Sequence, residues 1–307
     1  MRMHVHIYTK RKRFKEYFNK NIIMKKIVPA FLCVCFWIIS MKAFTQSDSL
    51  VLRDINWDKN SPAGMNELFI PSDQSVIAGF IYTANGKEKH PTLLMLHGYP
   101  GNERNLDIAQ AVRAHGWNVI YFDYRGSWGS GGQFSFANCI QDVVNVVAFC
   151  KKNADKFHID TTNIALFGHS MGGWVCLKAL QQLPGIKKGF ALSTWNIYSD
   201  LKNVKTEQQL SAAAKEAGEY FVLNTATEQI LKPVTTDPDY YNLQKNASAL
   251  SGKQIIMLDE HTRNKELATA LQKDNHNYFD YEVWQTDHPF TNKRISLINK
   301  VLAFLDK

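Results

Sequence analysis

Short runs of nearly uninterrupted apolar residues alternate along this chain with stretches of helical periodicity, and that alternation narrows the fold more than any other feature. The runs fall at residues 92–96, 117–122, 164–167, 189–193 and 254–258, with a more polar one at 278–284. A strand with no polar face is buried on both sides, as happens in a parallel sheet covered by helices. Helical patterns lie between them: 104–115, with Leu106, Ile108, Ala109, Ala111 and Val112 inward, and 136–152, with Val143, Val144, Val147 and Phe149 inward. Others follow at 174–183, 265–271 and 293–305. Strands separated by such helices are βαβ units. The chain is therefore expected to be α/β, with a mostly parallel, doubly wound sheet.

Two departures from the alternation add detail. Residues 67–71 and 76–82 are β-rich and flank Ser72-Asp73-Gln74-Ser75. They predict an antiparallel hairpin at the sheet edge, where Pro71 is tolerated. Residues 195–250 are polar and helix-prone around 205–220, and they are too long for a connecting loop. They are expected to form a small helical lid inserted into the domain at about 195–250.

The formal charge of +8 invites a nucleic-acid reading, but its location removes it. Ten of the 36 Lys/Arg and one of the 28 acidic residues fall within 1–45, which leaves 26 basic against 27 acidic in the rest. The body has no electrostatic footprint for phosphates. The basic leader precedes an apolar run at 27–40, short for a membrane span of about 20 residues and suited to a secretory signal. Met24-Lys25-Lys26 is expected to be the natural start, with 1–23 an upstream extension and cleavage near Ala43-Phe44-Thr45. The alternative is an anchor formed by 27–40, the one membrane contact the sequence suggests. The expected divisions are a leader at 1–45, an arm at 46–63 and one domain at 64–307, exported to the periplasm or beyond. Cys139 and Cys150 lie on one expected helix, about 16 Å apart at 1.5 Å per residue, too far for a disulfide. With Cys176 they are read as small buried hydrophobes. No zinc-ligand spacing occurs, and no metal or cofactor is expected.

The 164–167 strand runs into Gly168-His169-Ser170-Met171-Gly172-Gly173, and a helical pattern follows. This is Gly-x-Ser-x-Gly in its required strand–turn–helix context, a nucleophile elbow with Ser170 at the apex. A serine needs a base held by a third group. Of ten histidines, His4 and His6 are in the leader, and His90, His115 and His158 are expected in surface turns or at helix ends. His97 and His169 belong to loops around the serine, while His261 and His276 lie near the last two strands. His288 stands just beyond the last strand, on the rim where functional groups gather in such sheets. The acid should follow the 254–258 strand. Asp259 is the first choice and Glu260 the alternative, with Asp200 a more remote candidate. Two N–H groups must hold the oxyanion: the backbone of Met171, and that of Tyr99 in the loop after residues 92–96. Pro100 has no N–H to offer.

Four stretches now carry a resemblance: His97-Gly98-Tyr99-Pro100-Gly101, Asp123-Tyr124-Arg125-Gly126-Ser127-Trp128-Gly129-Ser130, the Gly168–Gly173 elbow, and Asp287-His288-Pro289-Phe290. In this order and spacing the chain resembles the α/β-hydrolase superfamily, on the side of the dienelactone hydrolases and prolyl-oligopeptidase-like catalytic domains, over roughly residues 64–306. The resemblance implies an α/β-hydrolase fold, Ser170 as nucleophile, His288 as base, and a structural role for the 123–130 loop. Relatives commonly have glycines, an Asp and a proline after the seventh strand. Here Asp259-Glu260-His261-Thr262-Arg263-Asn264 replaces them in a shortened loop. The expectation is an exported serine hydrolase that cleaves carboxylic esters of small neutral or partly apolar substrates. The alternatives are a prolyl-oligopeptidase-like peptidase and a non-catalytic hydrolase-fold binding protein.

Overall fold

The computed structural model describes residues 57–273, 275 and 278–307. The leader, the apolar run at 27–40, the start and cleavage expectations, most of the arm and His276 lie outside the described residues. The described end of the arm is tied down. The Asn85 side chain accepts from Ala63 N (2.9 Å), and Ser61 Oγ donates to the Gly86 carbonyl (2.8 Å).

Eight strands form one sheet in the order β1-β2-β4-β3-β5-β6-β7-β8. The hairpin of β1 (Gly64–Ser72) and β2 (Ser75–Thr83) is antiparallel, and β2 also pairs antiparallel with β4. The remaining strands, β3 (His90–Leu96), β4 (Asn118–Phe122), β5 (Ile159–His169), β6 (Lys188–Leu192), β7 (Gln254–Asp259) and β8 (Phe279–Val283), pair in parallel. The helices are α1 (Leu106–Ala114), α2 (Phe136–Lys152), α3 (Met171–Gln182), α4 (Ile197–Leu201), α5 (Glu207–Ala217), α6 (Thr227–Thr236), α7 (Pro238–Tyr241), α8 (Lys265–Gln272) and α9 (Arg294–Leu305). Among the described residues no helix is long and apolar enough to cross a membrane.

The pleat sorts the core. Leu94, Leu96, Ile120, Phe122, Leu166, Ala191, Ile255 and Met257 face one layer, built from α2, α3 and the insertion. The alternate residues face the other layer, where Phe190 stacks on Phe167 and meets Phe304 of α9 edge-on. On α2 the inward stripe is Cys139, Val143, Val146, Val147 and Cys150. Val146 is buried where Val144 was expected inward, and the polar Asp142 is buried on the same helix. That carboxylate sits in a buried clasp: Asp142 accepts from Arg125 Nε (2.6 Å), Arg125 N (2.8 Å) and Ser72 Oγ (2.5 Å). It binds the 123–130 loop to the hairpin.

Residues between β6 and β7 form α4 to α7 and a 3₁₀ segment, Leu243–Leu250. Their apolar residues Leu210, Ile230, Leu231, Val234 and Tyr241 belong to the main core. Trp174 of α3 stacks on Tyr241 and donates to its carbonyl (3.1 Å). Pro233 sits inside α6, and Asp237 caps α7 ahead of Pro238.

The strand order also locates the site. From β3 the chain winds outward to β4, then crosses to β5 on the other side of β3. The loops leaving the carboxyl ends of β3 and β5 therefore diverge at the switch point where open α/β sheets bind ligands.

Candidate active site

Ser170 follows β5 with φ 59° and ψ −119°, outside the ordinary regions for a side-chain-bearing residue. Such strain persists only where the surroundings enforce it. They do so through two glycines. A Cβ on Gly168 would lie 1.9 Å from the Gly172 carbonyl oxygen, and one on Gly172 would lie 2.0 Å from that of Leu96. The turn closes only without side chains there. It presents Ser170 at the start of α3, where helix N–H groups point toward negative charge.

The candidate oxyanion donors sit on either side. Met171 is the first residue of α3, and the loop after β3 reaches Ser170 so closely that a Cβ on Gly98 would be 3.1 Å from its Cβ. Tyr99 follows directly. Its phenol exchanges a hydrogen bond with Thr227 Oγ1 (2.8 Å), and its ring lies edge-on to Tyr220. Trp128 Nε1 braces the same loop through the Pro100 carbonyl (2.8 Å), and the Arg104 guanidinium lies over both Trp128 and Tyr121.

Three histidines surround the serine, and their environments separate their roles. His97 is buried. Its Nδ1–H donates to the Gly98 carbonyl (2.8 Å), and Nε2 accepts from Tyr124 N (3.4 Å). Burial pushes its pKa down to about 4, so it is a neutral brace. His169 is likewise buried, and burial together with the neighbouring His288 pushes it down to about 4. Its Nε2–H donates to the His288 carbonyl (3.0 Å), and the two rings lie 4.8 Å apart. It thus supports the loop bearing His288. Of these three, His288 lines the cavity, with its side chain about half exposed, and His261 lines it too. Arg294 fixes this loop from the other side by donating to the Pro289 carbonyl (2.9 Å) while pairing with Asp107 of α1.

The carboxylate that reaches His288 is that of Glu260, the alternative from sequence, and not that of Asp259, the first choice. His288 Nδ1 is 2.8 Å from Glu260 Oε1. Asp259 continues the parity of Ile255 and Met257 and is fully buried. It accepts from Thr194 N (3.1 Å) and Asn264 Nδ2 (3.1 Å). The residue after it leaves the strand on the opposite side, toward the rim. Burial raises the Asp259 carboxyl to about 6. Burial also opposes the charge of Glu260, but hydrogen bonds from His288 and Ser193 outweigh it and hold this carboxyl down at about 2. Asp200 lies on α4 and accepts from Trp195 Nε1 (2.8 Å). His261 approaches Glu260 at 3.7 Å.

Ser193 was not singled out from sequence. It follows β6, buried at a left-handed φ of 50°, with its Oγ 2.8 Å from His288 Nδ1 and hydrogen-bonded to Glu260 Oε2. Only its place after the strand neighbouring β5 could have pointed to it.

Ser170, Ser193, Glu260 and His288 line one cavity of ≈ 670 Å³, together with Asn196, Ser199, Asp200, Arg263 and Asn264. That volume suits a small ligand. Among the described residues no group of three or more His, Cys, Asp or Glu is placed to hold a metal ion. A strained serine and an imidazole backed by a carboxylate share this cavity, the side-chain pairing that serine acyl transfer uses.

Comparison with known proteins agrees with the α/β-hydrolase fold. The profile of the serine aminopeptidases, family S33, matches residues 87–273. A probable dipeptidyl-aminopeptidase B of Emericella nidulans is 30% identical over 135 residues, which is 38% of this chain and 15% of that protein. The cutinase est2 of Thermobifida alba is 22% identical over 166 residues, covering 54% of this chain and 55% of the cutinase. The chain thus spans about a sixth of the length of the dipeptidyl-aminopeptidases it matches and about half that of the cutinase. Among solved structures, the Pyrococcus furiosus esterase Pf2001 superposes with a TM-score of 0.57 at 19% identity, covering 83% of this chain and 97% of the esterase. Est1E from Butyrivibrio proteoclasticus gives 0.60 at 15% identity, covering 78% and 97%. At such identities the superpositions speak for the fold. The matches do not narrow to the prolyl-oligopeptidase side of the superfamily.

Proposed function

The chain belongs to the serine aminopeptidase family S33 of the α/β-hydrolases, and from that premise we propose that it is an exported serine hydrolase of small carboxylic esters. The observation that carries this reading is the pairing of His288 Nδ1 with Glu260 at 2.8 Å, in a cavity shared with the strained Ser170. Ser170 Oγ attacks the ester carbonyl. His288 Nε2 takes its proton, and the imidazolium is stabilised by the carboxylate on its other nitrogen. The N–H groups of Tyr99 and Met171 receive the charge on the carbonyl oxygen, a contribution of about 3–4 kcal/mol per donor in such enzymes. Collapse expels the alcohol, which takes the proton from His288. Water then releases the acyl group by the same route.

The cavity refines the expected substrate. Asn196, Ser199, Arg263 and Asn264 on its wall favour an ester with hydrogen-bonding groups over a purely apolar one. A second reading, a peptidase, is favoured by the family profile and by the similarity to dipeptidyl-aminopeptidases. The binding-protein reading drew on the shortened loop after β7, and Glu260 supplies an acid within that loop.

The test is to treat the protein with a fluorophosphonate probe, then profile short and long p-nitrophenyl esters against aminoacyl amides. Labelling of Ser170 with faster ester turnover is expected. Faster amide turnover would favour the peptidase, and absence of labelling would overturn serine catalysis. N-terminal sequencing of protein recovered outside the cytoplasm tests export.

A further inference from the structure

We propose that Ser193 is a positioning residue that locks His288 and Glu260 into one proton-transfer unit, making a tetrad of what the sequence presents as a triad with a shortened acid loop. The proposal rests on the reading of Ser170 and His288 given above. Three observations carry it. The first is contact: Ser193 Oγ is 2.8 Å from His288 Nδ1 and also bonds Glu260 Oε2, while Glu260 Oε1 is 2.8 Å from that same Nδ1. The three groups form a closed ring. The second is backbone. Ser193 is a non-glycine residue at φ 50°, and its N–H is pinned to the Leu258 carbonyl at 2.7 Å. A serine in the left-handed region is held there against its preference. The third is place. Ser193 leaves β6, which lies between β5, bearing Ser170, and β7, bearing Glu260.

The proton inventory of the ring has one solution. An ionised carboxylate only accepts, whereas a hydroxyl has one proton to give and lone pairs to offer. The Ser193 proton must go to Glu260 Oε2. Its lone pair then faces Nδ1, so Nδ1 must carry a hydrogen shared between Ser193 Oγ and Glu260 Oε1. His288 is thereby fixed in the tautomer whose Nε2 is unprotonated, the form that can accept the proton of Ser170. Glutamate has one more rotatable bond than aspartate and stands here in a short loop without glycine or proline. The second bond to Ser193 holds both of its oxygens in the plane that the imidazole requires.

Two variants and two readouts decide it. Ser193→Ala removes the hydroxyl. Ser193→Gly removes the hydroxyl and also frees the left-handed backbone. Both are expected to lower kcat on p-nitrophenyl acetate by about 10- to 100-fold, the range for a hydrogen bond to a charged group, with KM changed by less than about threefold. Fluorophosphonate labelling of Ser170 should slow in parallel. The low-field ¹H NMR signal of the His288 Nδ1–H, identified by its loss in His288→Gln, should shift and exchange faster with water in both variants. Wild-type rates in both variants would overturn the proposal and leave the hydrolase reading intact. Recovery in Ser193→Gly but not in Ser193→Ala would make backbone strain the cause and overturn it equally. If the wild type neither labels nor turns over esters, the hydrolase reading falls, and the NMR comparison alone decides. An unchanged signal in Ser193→Ala then overturns the role of Ser193, and a shifted one supports it.

Discussion

Replacing Glu260 by Gln is the sharpest perturbation the site offers, because Asp259 next to it provides an internal control. The amide keeps the volume and removes the charge. Its NH₂ group can also face Nδ1 and draw His288 into the tautomer that cannot accept a proton. The charge alone sets a scale. Two unit charges about 4 Å apart attract by about 4 kcal/mol at the effective dielectric found near protein surfaces. The His288 side chain is about half exposed, so solvent reduces this to roughly 2–4 kcal/mol. At 1.36 kcal/mol per tenfold, kcat should fall roughly 30- to 1,000-fold, more if the tautomer flips. Asp259→Asn should leave kcat within about threefold, since that side chain bonds Thr194 N and Asn264 and faces away from His288. The assay is initial rates on p-nitrophenyl acetate at saturating substrate and neutral pH, with circular dichroism confirming that both variants fold. A large loss in Asp259→Asn with little in Glu260→Gln would refute the assignment of the acid.

Other outcomes follow from the same geometry. Because the Glu260 carboxyl is held at about 2 in the fold against 4.5 outside it, its contribution to stability is present above about pH 4.5 and is lost as pH falls toward 2. Thermal melts at pH 6 and pH 3 should therefore show a smaller drop for Glu260→Gln than for wild type. Gly172→Ala places a Cβ 2.0 Å from the Leu96 carbonyl oxygen and should lower stability by more than about 4 kcal/mol, whereas Gly185→Ala, with nothing within 4 Å, should be neutral in urea titrations. Tyr99→Phe deletes the bond to Thr227 but keeps the backbone N–H. It should cost about 1 kcal/mol in stability and change kcat by less than about threefold. Asp142→Ala leaves the buried Arg125 guanidinium without its main partner and should cost about 3–5 kcal/mol in chemical denaturation.

What could be read from the sequence follows from the range of the interactions involved. The strands β3 to β7 were legible because residues buried on both faces leave apolar runs. The elbow was legible because two backbone approaches near 2 Å admit only glycine. The mostly parallel sheet and the place of His288 beyond its last strand came with the βαβ alternation. The acid was harder: Asp259 and Glu260 are adjacent, and a strand sends neighbours to opposite faces. The parity was present in Ile255 and Met257, whose layer Asp259 shares, but where the strand ends and the chain turns out depends on Asn264 in the following loop and on Thr194, far away in sequence. Ser193 left no local signal, since its left-handed φ is enforced by β7 and its partners arrive from two other loops. The insertion showed its helical tendency and not its packing, because Tyr241 and Leu231 are core residues only in relation to Trp174 and the sheet.

The bond between Tyr99 and Thr227 has a consequence for how this scaffold can be altered. Thr227 opens α6, and Tyr99 supplies one of the two proposed oxyanion donors. The insertion is therefore not an exchangeable part. Transplanting the equivalent segment of another hydrolase to broaden the range of accepted molecules would also disturb the group on which turnover depends. Variants that keep Tyr220, Thr227 and Tyr241 while changing the outward residues of α5 avoid that conflict, and a library built on this chain should be drawn along that line.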